Sequence, residues 1–290
     1  MIRLRKSKNS SPSVEIVAPR DGWILERMCE ELVRRLDYCR ASEQPTGVLP
    51  IGYYMNYALS PPTKVFATEL AFFTHIEESD PNRRKQFFSI ASKVDIAVCQ
   101  STRYKHALNE HLPHLATEVI SPGVDTDVFK PRPLRIGVVG RNYDYTPRKG
   151  DRLLREIWGT DGIEFAVTGS GWSVPHQHLP EEELPRFYQS LDYLLITSLW
   201  EGGPMCALEA LATGIPIIAP PVGWVPDLPH MEYPTGDAKA LRAVLENCVQ
   251  ERTKLREAVI NRGWDEFARQ HDRVFRALMA QPPTTQRREA

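Results

Sequence analysis

The chain has 290 residues, 42% of them apolar and 25% charged, with a formal net charge of −1 at pH 7. That length suits one large domain or two ordinary ones with a sizeable core. The near-neutral charge speaks against a strongly basic nucleic-acid binder, and the longest apolar runs, such as YLLITSLW, are too short to span a bilayer, so no integral membrane segment is expected.

The opening MIRLRKSKNSSPS carries Arg3, Arg5, Lys6 and Lys8 and reads as a solvated end, with no apolar stretch of a secretory signal. VEIVAP, residues 14–19, predicts a strand that passes through Arg20-Asp21-Gly22 into the helical pattern WILERMCEELVRRL. In that pattern Ile24, Leu25, Met28, Leu32, Val33 and Leu36 fall on one face. KVFATELAFFTH, the helical RRKQFFSIASK, the strand VDIAVCQ, the helix TRYKHALNEH and the strand ATEVISP follow. GVDTDVFKPRP then carries turn signals and reads as a linker near residue 130.

A second alternation begins there. LRIGVVGR predicts a strand, KGDRLLREIW a helix, IEFAVTGSG a strand, EEELPRFYQSL a helix and DYLLITS a strand. WEGGPMCALEALATG reads as a glycine turn entering a helix, IPIIAPP as a strand, and DAKALRAVLENCV and WDEFARQHDRVFRALM as closing helices. The tail QPPTTQRREA has the composition of a disordered end. Strands alternating with helices predict an α/β protein of two doubly wound, Rossmann-like domains. The five cysteines (Cys29, Cys39, Cys99, Cys206, Cys248) are scattered without a C-x-x-C pair, which fits a reduced, cytoplasmic protein.

Ligands of such sheets bind beyond the carboxyl ends of the strands, where loops enter helices. At Glu201-Gly202-Gly203-Pro204 the two glycines let a ligand approach the main chain, and Pro204 suits the first helical position. The N–H groups of Met205 and Cys206 then open the helix with the positive end of its dipole, an anion site that fits a phosphate. Glu209 lies roughly 7–8 Å further along the axis. Two carboxylates flanking an anion site suit hydroxyls on either side of a diphosphate, the layout of a nucleoside diphosphate sugar. Arg141 ends a strand and Lys149 precedes a helix at the same sheet edge, supplying cations for the diphosphate, while Gly169 and Gly171 end the next strand and are expected to leave room for a base or ribose.

With these residues in place, the second half resembles the retaining, GT-B-fold glycosyltransferases of the "group one" type. The resemblance rests on Glu201 and Glu209 in a Glu-x7-Glu pattern with Gly214 and Pro216, on Gly140, Arg141, Lys149 and Gly150, on Pro122, Gly123, Val124, Asp125 and Phe129, and on the closing helix from Trp264 to Met279. It implies two Rossmann-like domains facing a cleft: a reduced N-terminal, acceptor-side domain over 1–130, a nucleotide-sugar domain over 131–263, a closing helix over 264–280 returning to the first domain, and a tail over 281–290. It further implies that Glu209 binds the donor ribose, that Glu201 binds the donor sugar, and that Arg141 and Lys149 stabilise the leaving diphosphate. Gly22 would approach the phosphates and His75 would hydrogen-bond the transferred sugar. The implied activity is a metal-independent, hexosyltransferase-type transfer from a UDP- or GDP-linked donor, with no other cofactor. The acceptor is expected to be a saccharide, a lipid-linked glycan or a modified base. The chain departs from the family at Gly203, where an aromatic residue is common, so looser contact with the sugar is expected. Only about 60 residues separate the first strand from His75, so the first domain is pared down.

Other chemistries fit less well. A glycosidase pair of carboxylates needs neither an adjacent anion site nor an Arg/Lys pair. His106, His111 and His114, interrupted by Pro113, and His176 with His178 have no accompanying cysteine and read as surface histidines, so no metal is expected. GSG at 169–171 lacks the third glycine of a dinucleotide fingerprint, and no G-x-x-x-x-G-K-[ST] occurs. A sugar-nucleotide-binding protein without transferase activity, or a transferase acting on a modified DNA base, are the alternatives.

Overall fold

A computed structural model of the chain describes residues 11–18, 20–76 and 79–280. The basic run at Arg3, Arg5, Lys6 and Lys8, the end of the first predicted strand at Pro19 and the tail from residue 281 lie outside the described residues. The chain divides into two compact units. Described residues up to Phe129 and from Val259 onward form the first, and Lys130–Ala258 form the second.

The first unit is a six-stranded, wholly parallel sheet in the order β2-β1-β3-β4-β5-β6. Its strands are β1 (Val14–Val17), β2 (Cys39–Ser42), β3 (Ile51–Tyr54), β4 (Thr68–Phe73), β5 (Ile96–Cys99) and β6 (Ala116–Val119). Its helices are α1 (Ile24–Arg35), α2 (Pro81–Ala91), α3 (Thr102–His111) and α8 (Trp264–Met279). Alternate strand residues face opposite layers. Ile16, Tyr53, Phe72 and Val98 pack with Met28 and Leu32 of α1 and with Trp264, Phe267 and Phe275 of α8. Tyr54, Ala71, Phe73 and Cys99 pack with Phe87 and Ile90 of α2 and Leu108 of α3. Helix α2 starts cleanly because Asp80 accepts from the Asn82 and Arg83 N–H groups at 2.9 and 3.2 Å and Pro81 opens the first turn. In the segment after β6, a side chain at Gly123 would meet Trp264 of α8 at 2.7 Å, so only glycine lets the two pack.

The second unit is a five-stranded parallel sheet in the order β11-β10-β9-β7-β8. It comprises β7 (Leu134–Arg141), α4 (Asp151–Ile157), β8 (Ile163–Ser170), α5 (Leu184–Gln189), β9 (Tyr193–Leu195), α6 (Met205–Ala212), β10 (Ile217–Ala219) and β11 (Met231–Glu232). The long α7 (Ala238–Ile260) then carries the chain on to α8. Ile136, Val138, Val167 and Leu195 pack on α4 and α7, whereas Leu194, Ile196, Ile217 and Ala219 pack on α5 and α6. Both units are therefore doubly wound α/β sheets, as the alternation of strands and helices predicts.

Strand order locates the place where each sheet can hold a ligand. In the second unit the chain runs outward from β7 to β8 and then returns to the other side of β7 as β9, so the switch point lies between the carboxyl ends of β7 and β9. In the first unit the corresponding point lies between β1 and β3.

Candidate functional site

The loop leaving β7 (residues 142–150) and the loop leaving β9 (residues 196–204) meet at the switch point of the second unit. Two hydrogen bonds to main-chain carbonyls fasten them together: Leu199 N–H donates to Arg148 O at 2.8 Å, and Thr197 Oγ1 donates to Lys149 O at 2.7 Å. Gly150 makes this approach possible. It has a left-handed φ of +70°, and a Cβ there would lie 2.0 Å from Thr197 O.

The fastened loops bring Lys149 and Glu201 together. Lys149 Nζ donates to Glu201 Oε1 at 2.5 Å, Ser198 Oγ donates to the same oxygen at 2.9 Å, and Arg148 Nη1 donates to Oε2 at 2.5 Å. The pair is largely withdrawn from solvent, with 7% of the Glu201 side chain and 15% of the Lys149 side chain exposed. Burial alone would raise the Glu201 carboxyl, but hydrogen bonds from Lys149 and Ser198 and the charges of Lys149 and Arg148 hold it below the ordinary carboxylate range.

Arg141 is exposed, and its guanidinium lies against the Tyr143 ring, 5.1 Å from the centroid. The second cation on Glu201 is Arg148, which the sequence reading passed over and which also contacts the Tyr143 ring at 5.6 Å. The adjacent basic pair in PRKG was its signal.

Helix α6 begins at Met205, and Pro204 caps it with extended backbone, so Pro204 is not the first helical residue. Met205, the first residue of this helix, is exposed. Burial pushes the Cys206 thiol up to about 12 against the opposing charge of Lys149, which leaves it neutral rather than nucleophilic. Glu209, half-buried in α6, accepts from Tyr188 Oη of α5 at 2.5 Å, a partner that sequence reasoning did not identify. Burial, and then the hydrogen bond to Glu209, pushes the Tyr188 phenol well up, so it remains a donor.

The glycines divide by role. Nothing stands within 4 Å of the place where a side chain on Gly202 would begin. Gly169 and Gly171, expected to leave room for a base or ribose, sit where two strand ends approach closely. A Cβ on Gly169 would fall 1.9 Å from Gly140 O and one on Gly171 would fall 2.4 Å from Asn142 O, so these glycines serve the close approach of the β7 and β8 ends. Gly203 is crowded as well, with its Cβ position 2.3 Å from Cε3 of Trp224, so the space beside it holds an aromatic ring from another loop.

In the first unit, Gly22 is a turn residue at φ +75° whose N–H donates to Glu26 Oε2 at 2.7 Å. His75 follows β4 and is exposed, and its Nδ1 lies 3.0 Å from Thr74 Oγ1. With Asn56, Tyr57, Arg83 and Phe87 it lines a cavity of about 420 Å³ at the carboxyl ends of β3 and β4. His111 stacks on Phe88 with ring centroids 4.0 Å apart, and His176 Nδ1 lies 2.9 Å from Val174 O. Among the described residues no group of three or more His, Cys, Asp or Glu is placed to hold a metal ion, and no helix is long and apolar enough to cross a membrane.

Residues 175–264, which contain Glu201 and Glu209, match the family model described as Glycosyl transferases group 1. A curated relative, the amylovoran biosynthesis glycosyltransferase AmsK of Erwinia amylovora, is 34% identical over 77 residues, which cover 23% of this chain and 19% of that protein. Among solved structures, HepE of Anabaena in complex with UDP aligns over 92% of this chain and 100% of its own at 11% identity, with a TM-score of 0.41. The sucrose-phosphate synthase of Thermosynechococcus elongatus aligns over 93% of this chain and 99% of its own at 14% identity, with a TM-score of 0.36. The catalytic domain of the cholesterol-α-glucosyltransferase of Helicobacter pylori aligns over 47% of this chain and 96% of its own at 18% identity, with a TM-score of 0.36.

Proposed function

We propose that this chain, whose residues 175–264 carry the group 1 glycosyltransferase match, transfers a sugar from a nucleoside diphosphate sugar to a hydroxyl acceptor. The single observation that carries the proposal is the convergence of Lys149, Arg148, Ser198 and Glu201 beside the open start of α6 at the switch point of the second sheet. Main-chain N–H groups of Met205 and Cys206, with Lys149 and Arg148, take the diphosphate. Glu209, oriented by Tyr188, accepts from the ribose hydroxyls, and Glu201 turns to hydroxyls of the sugar.

In the reaction the bond from the anomeric carbon to the diphosphate oxygen breaks, a bond from that carbon to the acceptor oxygen forms, and the acceptor proton leaves with the diphosphate. Negative charge grows on the leaving group, and the two cations are already positioned to meet it. Retention of anomeric configuration, a UDP- or GDP-linked hexose and independence from divalent metal follow the family resemblance. Arg141 can join the phosphates only by leaving the Tyr143 ring. The His75 cavity of the first unit is assigned to the acceptor side, with a saccharide or lipid-linked glycan as the acceptor class. The five cysteines are all unpaired, which suits work in a reducing cytoplasm.

The test uses purified chain with UDP-glucose and GDP-mannose, following release of the diphosphate with and without saccharide acceptors. Lys149→Ala is expected to lower turnover by about 10²–10³-fold, the usual effect of losing one group that stabilises transition-state charge. Glu209→Ala is expected to abolish donor binding with the unfolding temperature kept. Turnover at the wild-type level in either variant refutes the assignment.

A further inference from the structure

We propose that Trp224, on the loop after β10, is the wall against which the ring of the transferred sugar packs, and so determines which sugar the site accepts. This rests on the function proposed above, since it assigns a part of that same site. The first observation is steric. A Cβ on Gly203 would lie 2.3 Å from both Cε3 and Cζ3 of Trp224 and 2.5 Å from its Cδ2. Gly203 does not have a positive φ, so its backbone does not demand glycine; the indole does. The ring thus fills the volume that a side chain at position 203 would occupy, within the turn that joins Glu201 to the start of α6.

The second observation is that the Trp224 loop is built to reach this place. Gly223 has φ +55°, and its Cβ position would fall 2.6 Å from Gly202 O, so a second glycine is needed on the opposite side of the same approach. Val222 and Val225 on either side are buried, and Val225 N–H donates to Val222 O at 3.1 Å. The loop is anchored, yet the indole it carries stays 37% exposed. A single exposed aromatic is ordinary on a protein surface. Two glycines in facing loops that give up their side chains to bring that aromatic against one turn are not accounted for by surface statistics.

The chemistry of the position follows. A hexose presents hydroxyls around its edge and C–H groups on its faces. Glu201, two residues from Gly203, is the acceptor for the edge, and an indole is a rigid, flat, largely apolar surface that suits a face. The sugar is then held by its edge on a carboxylate and by its face on an aromatic ring. The site that lacks an aromatic residue at position 203 gains one from the neighbouring loop, and looser contact with the sugar is not the result.

The experiment compares binding of UDP with UDP-glucose, and of GDP with GDP-mannose, by calorimetry on the full chain. The wild type is expected to bind one sugar nucleotide at least about tenfold more tightly than its own diphosphate, equivalent to about 1.4 kcal/mol. Trp224→Ala is expected to keep the diphosphate Kd within about twofold and to lose that tenfold increment, while Trp224→Phe keeps most of it. Gly203→Phe introduced together with Trp224→Gly, which returns an aromatic ring to the same volume from the other loop, is expected to restore the increment. An increment that survives Trp224→Ala overturns the proposal, as does a wild type that binds a diphosphate without any increment from the sugar. A wild type that binds neither diphosphate overturns the donor-site assignment itself, and the proposal falls with it. Should Trp224→Ala fail to fold, the Trp224→Phe and Gly203→Phe/Trp224→Gly proteins decide the matter.

Discussion

The burial of His271 makes the stability of the first unit fall between pH 7 and pH 5. His271 lies on the buried face of α8, with no solvent exposure. Its Nδ1–H donates to Phe267 O at 2.9 Å, which fixes the tautomer and leaves Nε2 to accept from Tyr53 Oη at 3.0 Å. Around it stand the rings of Tyr53, Phe267 and Phe275. Burial pushes the imidazole from 6.5 down to about 4, and the hydrogen bond to Phe267 opposes this only in part. The unfolded chain therefore takes up a proton at this residue near pH 6.5, whereas the folded chain resists until about pH 4. In that window the unfolded state binds more protons, and stability rises with pH. The stabilisation is fully present above pH 6.5 and is lost progressively as the pH falls toward 4. For this one group the loss between pH 7 and pH 5 amounts to about 2 kcal/mol, from 1.36 kcal/mol per pKa unit. The assay is urea unfolding at half-unit steps over that range, for the wild type and for His271→Gln, followed by Trp fluorescence and circular dichroism. The variant is expected to be less stable at pH 7 and to lose roughly 2 kcal/mol less on acidification. Parallel pH profiles for the two proteins would refute the account.

Three further outcomes follow from the site. Tyr188→Phe removes the hydrogen bond to Glu209; stability should change by about 1 kcal/mol or less, while the Kd for a sugar nucleotide should rise several-fold, and an unchanged Kd would show that Tyr188 does not orient the carboxylate. Gly150→Ala forces a Cβ into Thr197 O at a left-handed φ and should cost at least about 2 kcal/mol of stability together with most of the activity. The control Gly159→Ala, at φ +81° with nothing within 4 Å, should cost only about 1 kcal/mol, and equal costs in thermal unfolding would contradict the packing argument.

Much of this architecture was legible because buried parallel strands announce themselves as apolar runs between helical periods. LRIGVVGR and IEFAVTGS became β7 and β8, and the apolar face of WILERMCEELVRRL became α1. The strands that escaped notice lacked that signal. β2 is CRAS, an edge strand with its two middle residues exposed; β3 is IGYY, wholly buried but only four residues long and interrupted by Gly52; and β11 has two residues. Gly52 is explained only by the structure, because the Phe66 ring lies 2.1 Å from where its Cβ would be. Helix α7 was expected to stop near Val249 and continues to Ile260 through an exposed stretch with few apolar residues to mark it. At the site, Glu201, Lys149 and Glu209 could be chosen from spacing and residue type. Ser198, Tyr188 and Trp224 could not, because their roles depend on which loops the sheet order brings together, and no local pattern records that.

On the function proposed above, the clamp on Glu201 bears on selectivity. Each cation at the switch point is already held by an oxygen of Glu201, so that one carboxylate offsets one of their two positive charges before any anion arrives. Inorganic phosphate or a nucleoside monophosphate would have to evict Glu201 and strand it, with no hydroxyls at hand to receive it. A complete sugar nucleotide brings both halves of the exchange, phosphates for Lys149 and Arg148 and hydroxyls for the displaced acid. The same contacts would thus favour an intact donor over its fragments, and would help the diphosphate to leave.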